Sequence, residues 1–271
     1  MTRVRADALL VTRKLAGSRT EAQALIMAGK VTSGPRRIDK PGTLLPEDAE
    51  VHVASGPRFV SRGGDKLEHA LAAFAAQHGL DVAGKTCVDV GASTGGFTDC
   101  LLQRGAARGF AVDVGASTGG FTDCLLQRGA ARVWAVDVGH NQLHYRIRTD
   151  PRVVVREGVN ARALTPEMFP SPFEGGVVDV SFISLRTILP ALVGVLAKGA
   201  PLVCLVKPQF EVGKGEVGKG GVVRDDAKRV RVLAEVREAA GRGGFTAGGS
   251  IESPVAGATG NREFLLLLRK Q

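Results

Sequence analysis

Residues 88–111 read VDVGASTGGFTDCLLQRGAARGFA, and residues 112–135 repeat them as VDVGASTGGFTDCLLQRGAARVWA. The copies differ only at Gly109 against Val133 and at Phe110 against Trp134. Each copy holds an apolar strand with an acid, a glycine-rich turn and an amphipathic segment. Gly91, Gly95 and Gly96 in the first turn, and Gly115, Ser117, Thr118, Gly119 and Gly120 in the second, let backbone pass close to a ligand and aim N–H groups at it. Asp113 lies 22 residues after Gly91, and Asp137 lies 22 after Gly115. Each acid closes the following strand, where it can accept hydrogen bonds from both ribose hydroxyls of an adenosine. The turn is not G-x-G-x-x-G, which argues against a nicotinamide cofactor.

Other chemistry-bearing residues sit at similar places. Val178-Asp179-Val180-Ser181-Phe182 ends a strand in an acid, Leu205-Val206-Lys207-Pro208 ends one in a lysine, and Gly260-Asn261-Arg262-Glu263-Phe264 opens a last strand with an acid. Lys66 lies at the start of a helix, the wrong end for a stabilising cation, and spacing alone makes it a solvated lysine. Gly213 to Lys219 fits G-x-x-x-x-G-K, but Gly220 replaces the Ser or Thr that would hold magnesium. His140 and His144 are four apart without a third ligand, so no metal site is expected. The glycine-rich run 211–221 reads as a lid or simply a long loop.

The elements that must position these groups alternate. Apolar strands are expected at Cys87–Val90, in each repeat, and at Val133–Val138, Arg152–Val155, Val177–Val180, Pro201–Val206 and Phe264–Leu268. Helices are expected between them, notably Ser184–Lys198 around Pro190 and Asp225–Ala240 stopped at Gly241. A further helix after the Ser61–Lys66 junction shows Leu67, Ala70, Leu71, Phe74 and Ala75 on one face. Alternation of this kind implies an α/β fold, a doubly wound, mostly parallel sheet with ligands at the strands' carboxyl ends. The first sixty residues differ. A helix within Arg5–Leu15, a second one marked by the Ser18/Glu21 capping box and stopped at Gly29, and short strands broken by Gly and Pro make a small α+β module.

At 271 residues and a formal charge of +9, the chain suits one medium domain and one small one. Residues 1–40 carry nine Lys or Arg against three acids, a concentration that suggests a polyanionic partner. The four cysteines show no CxxC spacing, and two are one position counted twice. With no signal-peptide core and no apolar run near the roughly 20 residues that span a bilayer, a reduced, cytoplasmic protein is expected.

Several motifs resemble known families. Arg5, Asp7, Leu9-Leu10-Val11, Ser18-Arg19, Ala22, Ile26, Gly29, Val31 and Lys40-Pro41-Gly42 resemble the S4 RNA-binding domain. That resemblance implies a basic face, with Arg3, Arg5, Arg19, Lys30, Arg36 and Arg37, lying along the phosphates of RNA. Arg19 is the chosen contact, because a cation in a first helical turn needs a reason to be there. D-x-G-x-x-x-G-G with its following acid looks like motif I of class I S-adenosylmethionine-dependent methyltransferases. The order Lys66, Asp179, Lys207, Glu263 resembles the tetrad of FtsJ-type ribose 2′-O-methyltransferases. Together with S-R-G-x-x-K-L, D-V-S-F-I-S-L, K-P-Q-F-E and G-N-R-E-F, the chain closely resembles the TlyA family, also called hemolysin A.

The resemblance implies an S4-like domain over residues 1–60 and an FtsJ-like domain over 61–271. It further implies S-adenosylmethionine as cofactor, ribosomal RNA or ribosomal subunits as partner, and 2′-O-methylation of cytidines. A ribose hydroxyl is a poor nucleophile at neutral pH, so the residues must deprotonate and align it. Lys207 is expected as base, with Asp179 and Glu263 orienting it and Lys66 assisting. The rival readings are a noncatalytic RNA-binding protein broken by the duplication and a membrane-lytic toxin, for which no spanning or lytic helix is evident.

Only one copy of the glycine turn can sit at the switch point. If the second copy is used, the chain downstream of it stays continuous and the extra unit enters ahead of the first strand, at the sheet's amino edge. If the first is used, Gly91–Gly96 pairs with Asp113. The second copy, with Asp137, is the preferred expectation.

Overall fold

The computed structural model describes residues 2–54, 59, 61–91, 96–106, 110–114, 132–137, 140, 145–151, 153–213, 215–257 and 259–271, the strands over 110–114 and 132–137 mainly by backbone. Two compact units divide the chain, Met1–Arg58 and Phe59–Gln271.

The first unit holds β1 (Arg3–Arg5), α1 (Ala6–Thr12), α2 (Arg19–Met27), β2 (Val31–Ser33), β3 (Arg36–Arg37), β4 (Leu44–Pro46) and β5 (Val51–Val53). Ser18 caps α2 by accepting from the Glu21 N–H at 3.1 Å, while the Glu21 carboxylate reaches back to the Gly17 N–H at 2.7 Å. α1 is shorter than its apolar pattern suggests, because Lys14 takes a left-handed φ of 58° and turns the chain. β1 pairs with β4, and β2 lies between β3 and β5, all antiparallel. Leu9, Leu10, Ile26, Val31 and Ile38 fill the core beneath.

The second unit begins with α3 (Arg62–His78), ended by Gly79 at φ 60°. Then follow β6 (Cys87–Val90), α4 (Gly96–Gln103), β7 (Phe110–Val114), β8 (Arg132–Asp137), β9 (Val153–Glu157), β10 (Gly175–Val178), α5 (Leu185–Val195), β11 (Pro201–Val206), α6 (Asp226–Arg242), β12 (Phe245–Glu252) and β13 (Phe264–Lys270). The described residues form an eight-stranded sheet in the order β12-β13-β11-β10-β6-β7-β8-β9. Pairing is parallel from β11 to β9, and β13 and β12 run antiparallel.

Alternate residues of the central strands pack on opposite helical layers, as the two-residue period of a strand requires. Leu202, Cys204 and Val206 of β11 join the core under α5 and α6, whereas Val203 and Leu205 join the core under α3 and α4. β6, β10 and β11 are buried along their whole length, with apolar residues toward both layers, broken in β6 only by Asp89. β12 was not expected from the sequence: its Gly248-Gly249 pair interrupts the apolar pattern, and the register shifts there between Ala247 and Gly249.

The expected entry of the extra unit ahead of the first strand is corrected. β6, from the first copy, lies between β10 and β7, and β7, from the second, pairs with it through Val88↔Val112, Asp89↔Asp113 and Val90↔Val114. The spare strand is therefore inserted within the sheet rather than expelled, since an apolar strand left outside would expose its ladder. The first copy takes the slot beside β10 because it follows α3 directly. Gly84 turns the chain at φ 69° and donates to the Gly105 carbonyl at 2.8 Å, binding the link before β6 to the end of α4.

Candidate active site

The sheet brings four separated motifs to one edge. β6, β10 and β11 are parallel, with Val90, Val178 and Cys204 in neighbouring registers. The residues that follow these strands, Gly91, Asp179 and Lys207, therefore emerge together. β13 is antiparallel, and its first residue, Phe264, pairs with Val206, so Glu263 arrives at the same edge from the opposite direction. Backbone fastens the corner, the Asp179 N–H donating to the Val90 carbonyl at 2.9 Å.

Two lysine–carboxylate pairs face one cavity of about 300 Å³, which Ser61, Lys66, Gly91, Gly96, Asp179, Lys207 and Glu263 help to line. Lys66 Nζ donates to Glu263 Oε2 at 2.6 Å, with both side chains buried. Lys207 Nζ lies 2.6 Å from Asp179 Oδ1 and donates to Ser181 Oγ at 3.0 Å. The Lys207–Asp179 contact is close in distance but not aligned as a hydrogen bond, so Asp179 Oδ1 stays buried beside the cation with acceptor capacity left over. Spacing alone made Lys66 a solvated lysine; the structure buries it, because α3 turns its first turn against the Glu263 strand. Glu263, expected to orient Lys207, instead pairs with Lys66.

At its described ends the glycine turn lets neighbouring segments pack with no room for a side chain. Gly91 has φ 86°, and a Cβ there would meet the Asp179 carbonyl oxygen at 2.4 Å. At Gly96 a Cβ would meet Ser61 Oγ at 2.2 Å and Gly64 N at 2.7 Å, which keeps α4 and α3 in close contact. Beneath the turn lies a residue that the sequence motifs left without a role. Asp89 is 2% exposed; its Oδ2 accepts from Thr98 Oγ1 at 2.7 Å and its Oδ1 has no partner among the described residues. Burial, reinforced by the charge of Asp179 and opposed by the Thr98 hydrogen bond, pushes its carboxyl up to about 7. Gly95, Gly115, Ser117, Thr118, Gly119 and Gly120 lie outside the described residues, as do His144 and Lys214. Asp113 and Asp137 are placed as the fourth residue of β7 and the last of β8, by backbone.

In the first unit, Asp7 is fully buried and gathers the basic side chains around it. Arg5 donates to it through Nε at 3.0 Å and Nη2 at 2.9 Å, Arg19 through Nε at 3.2 Å and Gln23 through Nε2 at 2.9 Å. The Arg5 hydrogen bonds, with those from Gln23 and Arg19, hold the Asp7 carboxyl well below the usual carboxylate range in spite of burial. Asp7 thus supplies a local reason for a cation at the start of α2. Arg3, Arg36 and Arg37 are exposed, Arg37 pairing with Asp39 at 2.8 Å, and Lys30 is half-buried.

A doubly wound sheet whose glycine turn sits between β6 and β10, where strand order reverses, defines the class I methyltransferase type of cofactor domain. The FtsJ-like methyltransferase model matches residues 59–116 and again 111–270, meeting within the repeat, and the S4 domain model matches residues 4–51. The chain is 46% identical over 271 residues to the 16S/23S rRNA (cytidine-2′-O)-methyltransferase TlyA of Mycobacterium tuberculosis, covering 99% of this chain and 91% of the relative. It is 37% identical to Hemolysin A of Brachyspira hyodysenteriae, with 92% of each chain covered. A solved structure from Streptococcus thermophilus that carries a hemolysin name matches with a TM-score of 0.63 and 39% identity, over 100% of this chain and 90% of that one. The chain belongs to the TlyA, or hemolysin A, family: FtsJ-like methyltransferases with an S4 domain. Among the described residues no helix is long and apolar enough to cross a membrane.

Proposed function

We propose that this chain transfers the methyl group of S-adenosylmethionine to the ribose 2′-hydroxyl of cytidines in ribosomal RNA, acting in the cytoplasm. The observation that carries the reading is the pair of ion pairs, Lys207–Asp179 and Lys66–Glu263, around one cavity beside the Gly91 turn. Bound S-adenosylmethionine supplies an electrophilic methyl carbon on a sulfonium, so the protein needs no metal to make a leaving group. Gly91, Gly95 and Gly96 are the turn that holds it, and Asp113, on the strand beside β6, is the acid for its ribose hydroxyls. This choice of the first copy follows from the position of Gly91 in the cavity wall, and replaces the preference for Gly115–Gly120 with Asp137.

After its ammonium has released a proton to solvent, Lys207 takes the 2′-hydroxyl proton at the neutral Nζ as the oxygen attacks the methyl carbon and displaces the sulfonium sulfur as the thioether. Asp179 holds the Nζ in place. Lys66, fixed by Glu263, positions the substrate. The cavity wall sets the in-line geometry of the reacting oxygen. Arg5 and Arg19, held by Asp7, and the exposed Arg3, Arg36 and Arg37, with Lys30, form the face that takes RNA phosphates.

Transfer of label from S-adenosylmethionine to ribosomal subunits or their RNA tests the reading. Labelled 2′-O-methylcytidine is the expected product. Lys207→Ala should abolish transfer while calorimetric cofactor binding persists. Cofactor binding without any transfer by the unaltered chain would instead mark a noncatalytic RNA-binding protein.

A further inference from the structure

Glu211 takes no part in the chemistry proposed above, yet it is one of the most buried acids in the protein, at 3% exposure. It ends the short helical turn Pro208–Glu211 that follows Lys207. Its Oε1 accepts from the Leu185 N–H at 2.6 Å, and its Oε2 accepts from Ser184 Oγ at 2.6 Å. Both donors belong to the segment that runs on from Asp179. Arg186 completes the seat, with Nη2 donating to the Glu211 carbonyl at 2.6 Å and Nε 3.3 Å from Oε2.

These contacts close a ring. Asp179 leads through Val180–Ile183 to Ser184, Ser184 and Leu185 hold Glu211, the chain from Glu211 leads back to Lys207, and Lys207 pairs with Asp179. Inside the ring, Ser181 accepts from Lys207, and the rings of Phe182 and Phe210 stand 5.1 Å apart. Phe182 has φ 64°, an unusual backbone state for a bulky residue, and its side chain is 91% exposed. Glu211 and Ser184 share the start of α5, Glu211 taking the Leu185 N–H and Ser184 the Arg186 N–H at 3.2 Å, but the bonds of Glu211 to Ser184 Oγ and Arg186 go beyond capping. Burial pushes the Glu211 carboxyl up, so this acid sits where a charge is costly.

We infer that Glu211 is a positioning residue that fixes the spacing of Asp179 and Lys207 by tying the two segments that carry them at their far ends. The inference rests on the reading of those two residues as the reacting pair. It acts through geometry: the tie holds both segments against the pull of whatever enters the cavity.

The test compares Glu211→Ala, Glu211→Gln and Glu211→Asp in the full chain, by steady-state methyl transfer, cofactor calorimetry and crystal structures. Glu211→Ala should lower kcat by about 10- to 100-fold, as a misplacement of about 1 Å does, with KM for RNA and cofactor affinity unchanged. Glu211→Gln keeps an acceptor for Leu185 and should restore kcat. Glu211→Asp, one methylene short, should fold and still lose kcat, which keeps the test open if the alanine variant does not fold. A kcat equal to the unaltered chain in Glu211→Ala or Glu211→Asp, or a loss confined to KM, overturns the inference. The crystal structures separate this from failure of the catalytic reading: a Lys207–Asp179 distance still near 2.6 Å in the variants refutes positioning whether or not the chain methylates RNA.

Discussion

Replacing Asp89 by Asn should make the protein more stable, and only above the acid range. Asp89 is buried with its Oδ1 unpaired among the described residues, and its carboxyl is pushed up to about 7. An open aspartate titrates near 3.9, so the folded state binds this proton roughly a thousandfold more tightly, a ceiling of about 4 kcal/mol. Partial relaxation around the charge brings the expected cost to about 1–3 kcal/mol, the usual penalty for a buried group without a partner. The sign follows from proton counting. Between about pH 4 and 7 the folded state holds a proton that the unfolded chain has lost, so this residue's contribution to stability falls as pH rises through that window and stays low above it. Asparagine carries no such proton, and its amide oxygen can still accept from Thr98 Oγ1. Denaturant unfolding of both proteins, each without cofactor, from pH 4 to 8 reads the effect, because titrating groups not coupled to Asp89 cancel in the difference. The variant's advantage should grow from near zero at the acid end to about 1–3 kcal/mol at pH 8. A difference that stays flat across the range, or a variant weaker at pH 8, would refute the account. The growing advantage would also mean that a stability-lowering acid is kept beneath the Gly91 turn for use rather than for folding.

Lys66→Met leaves Glu263 buried at 2% exposure without its cation, and should cost about 3–5 kcal/mol; the double variant Lys66→Met/Glu263→Leu should regain most of that in denaturant melts while transferring no methyl group, and a double variant no more stable than the single one contradicts this. Ser18→Ala removes the cap of α2 and should lower stability by about 1 kcal/mol, read as a lower melting temperature of the S4 unit. Arg19→Ala should weaken RNA binding at low salt and reduce the slope of log affinity against log salt by about one; an unchanged slope removes Arg19 from the docking face. Excising residues 112–135 should leave a folded, active methyltransferase, measured by label transfer. Activity only in the excised chain would mean that the duplication disables the full one.

The sequence displayed the parallel sheet because β6, β10 and β11 carry apolar residues on both faces and are punctuated by glycine turns. It could not display β12, whose paired glycines break the alternation, nor the bulge that accommodates them. The four charged residues of the site were visible through their places at strand ends, but their pairing was not. Whether Glu263 meets Lys66 or Lys207 depends on β13 entering antiparallel beside β11, a fact of topology rather than of spacing. Asp89 and Glu211 sat within recognisable motifs, yet the burial of Asp89 and the partners of Glu211 come from segments that no local period reports. Copy choice was illegible for a simpler reason: identical residues carry no information about which of them fills a slot.

That identity bears on how the chain folds. β6 and β7 present the same Val-Asp-Val triplet in the same register, so a refolding chain meets two nearly equivalent nuclei for the strand beside β10. Exchanging one for the other requires the sheet to open on both sides of β6, which is a step on the scale of global unfolding rather than local fraying. A landscape with two such basins is frustrated by construction. Refolding should therefore proceed through parallel tracks, with a slow fraction representing molecules that seated the wrong twin and had to release it.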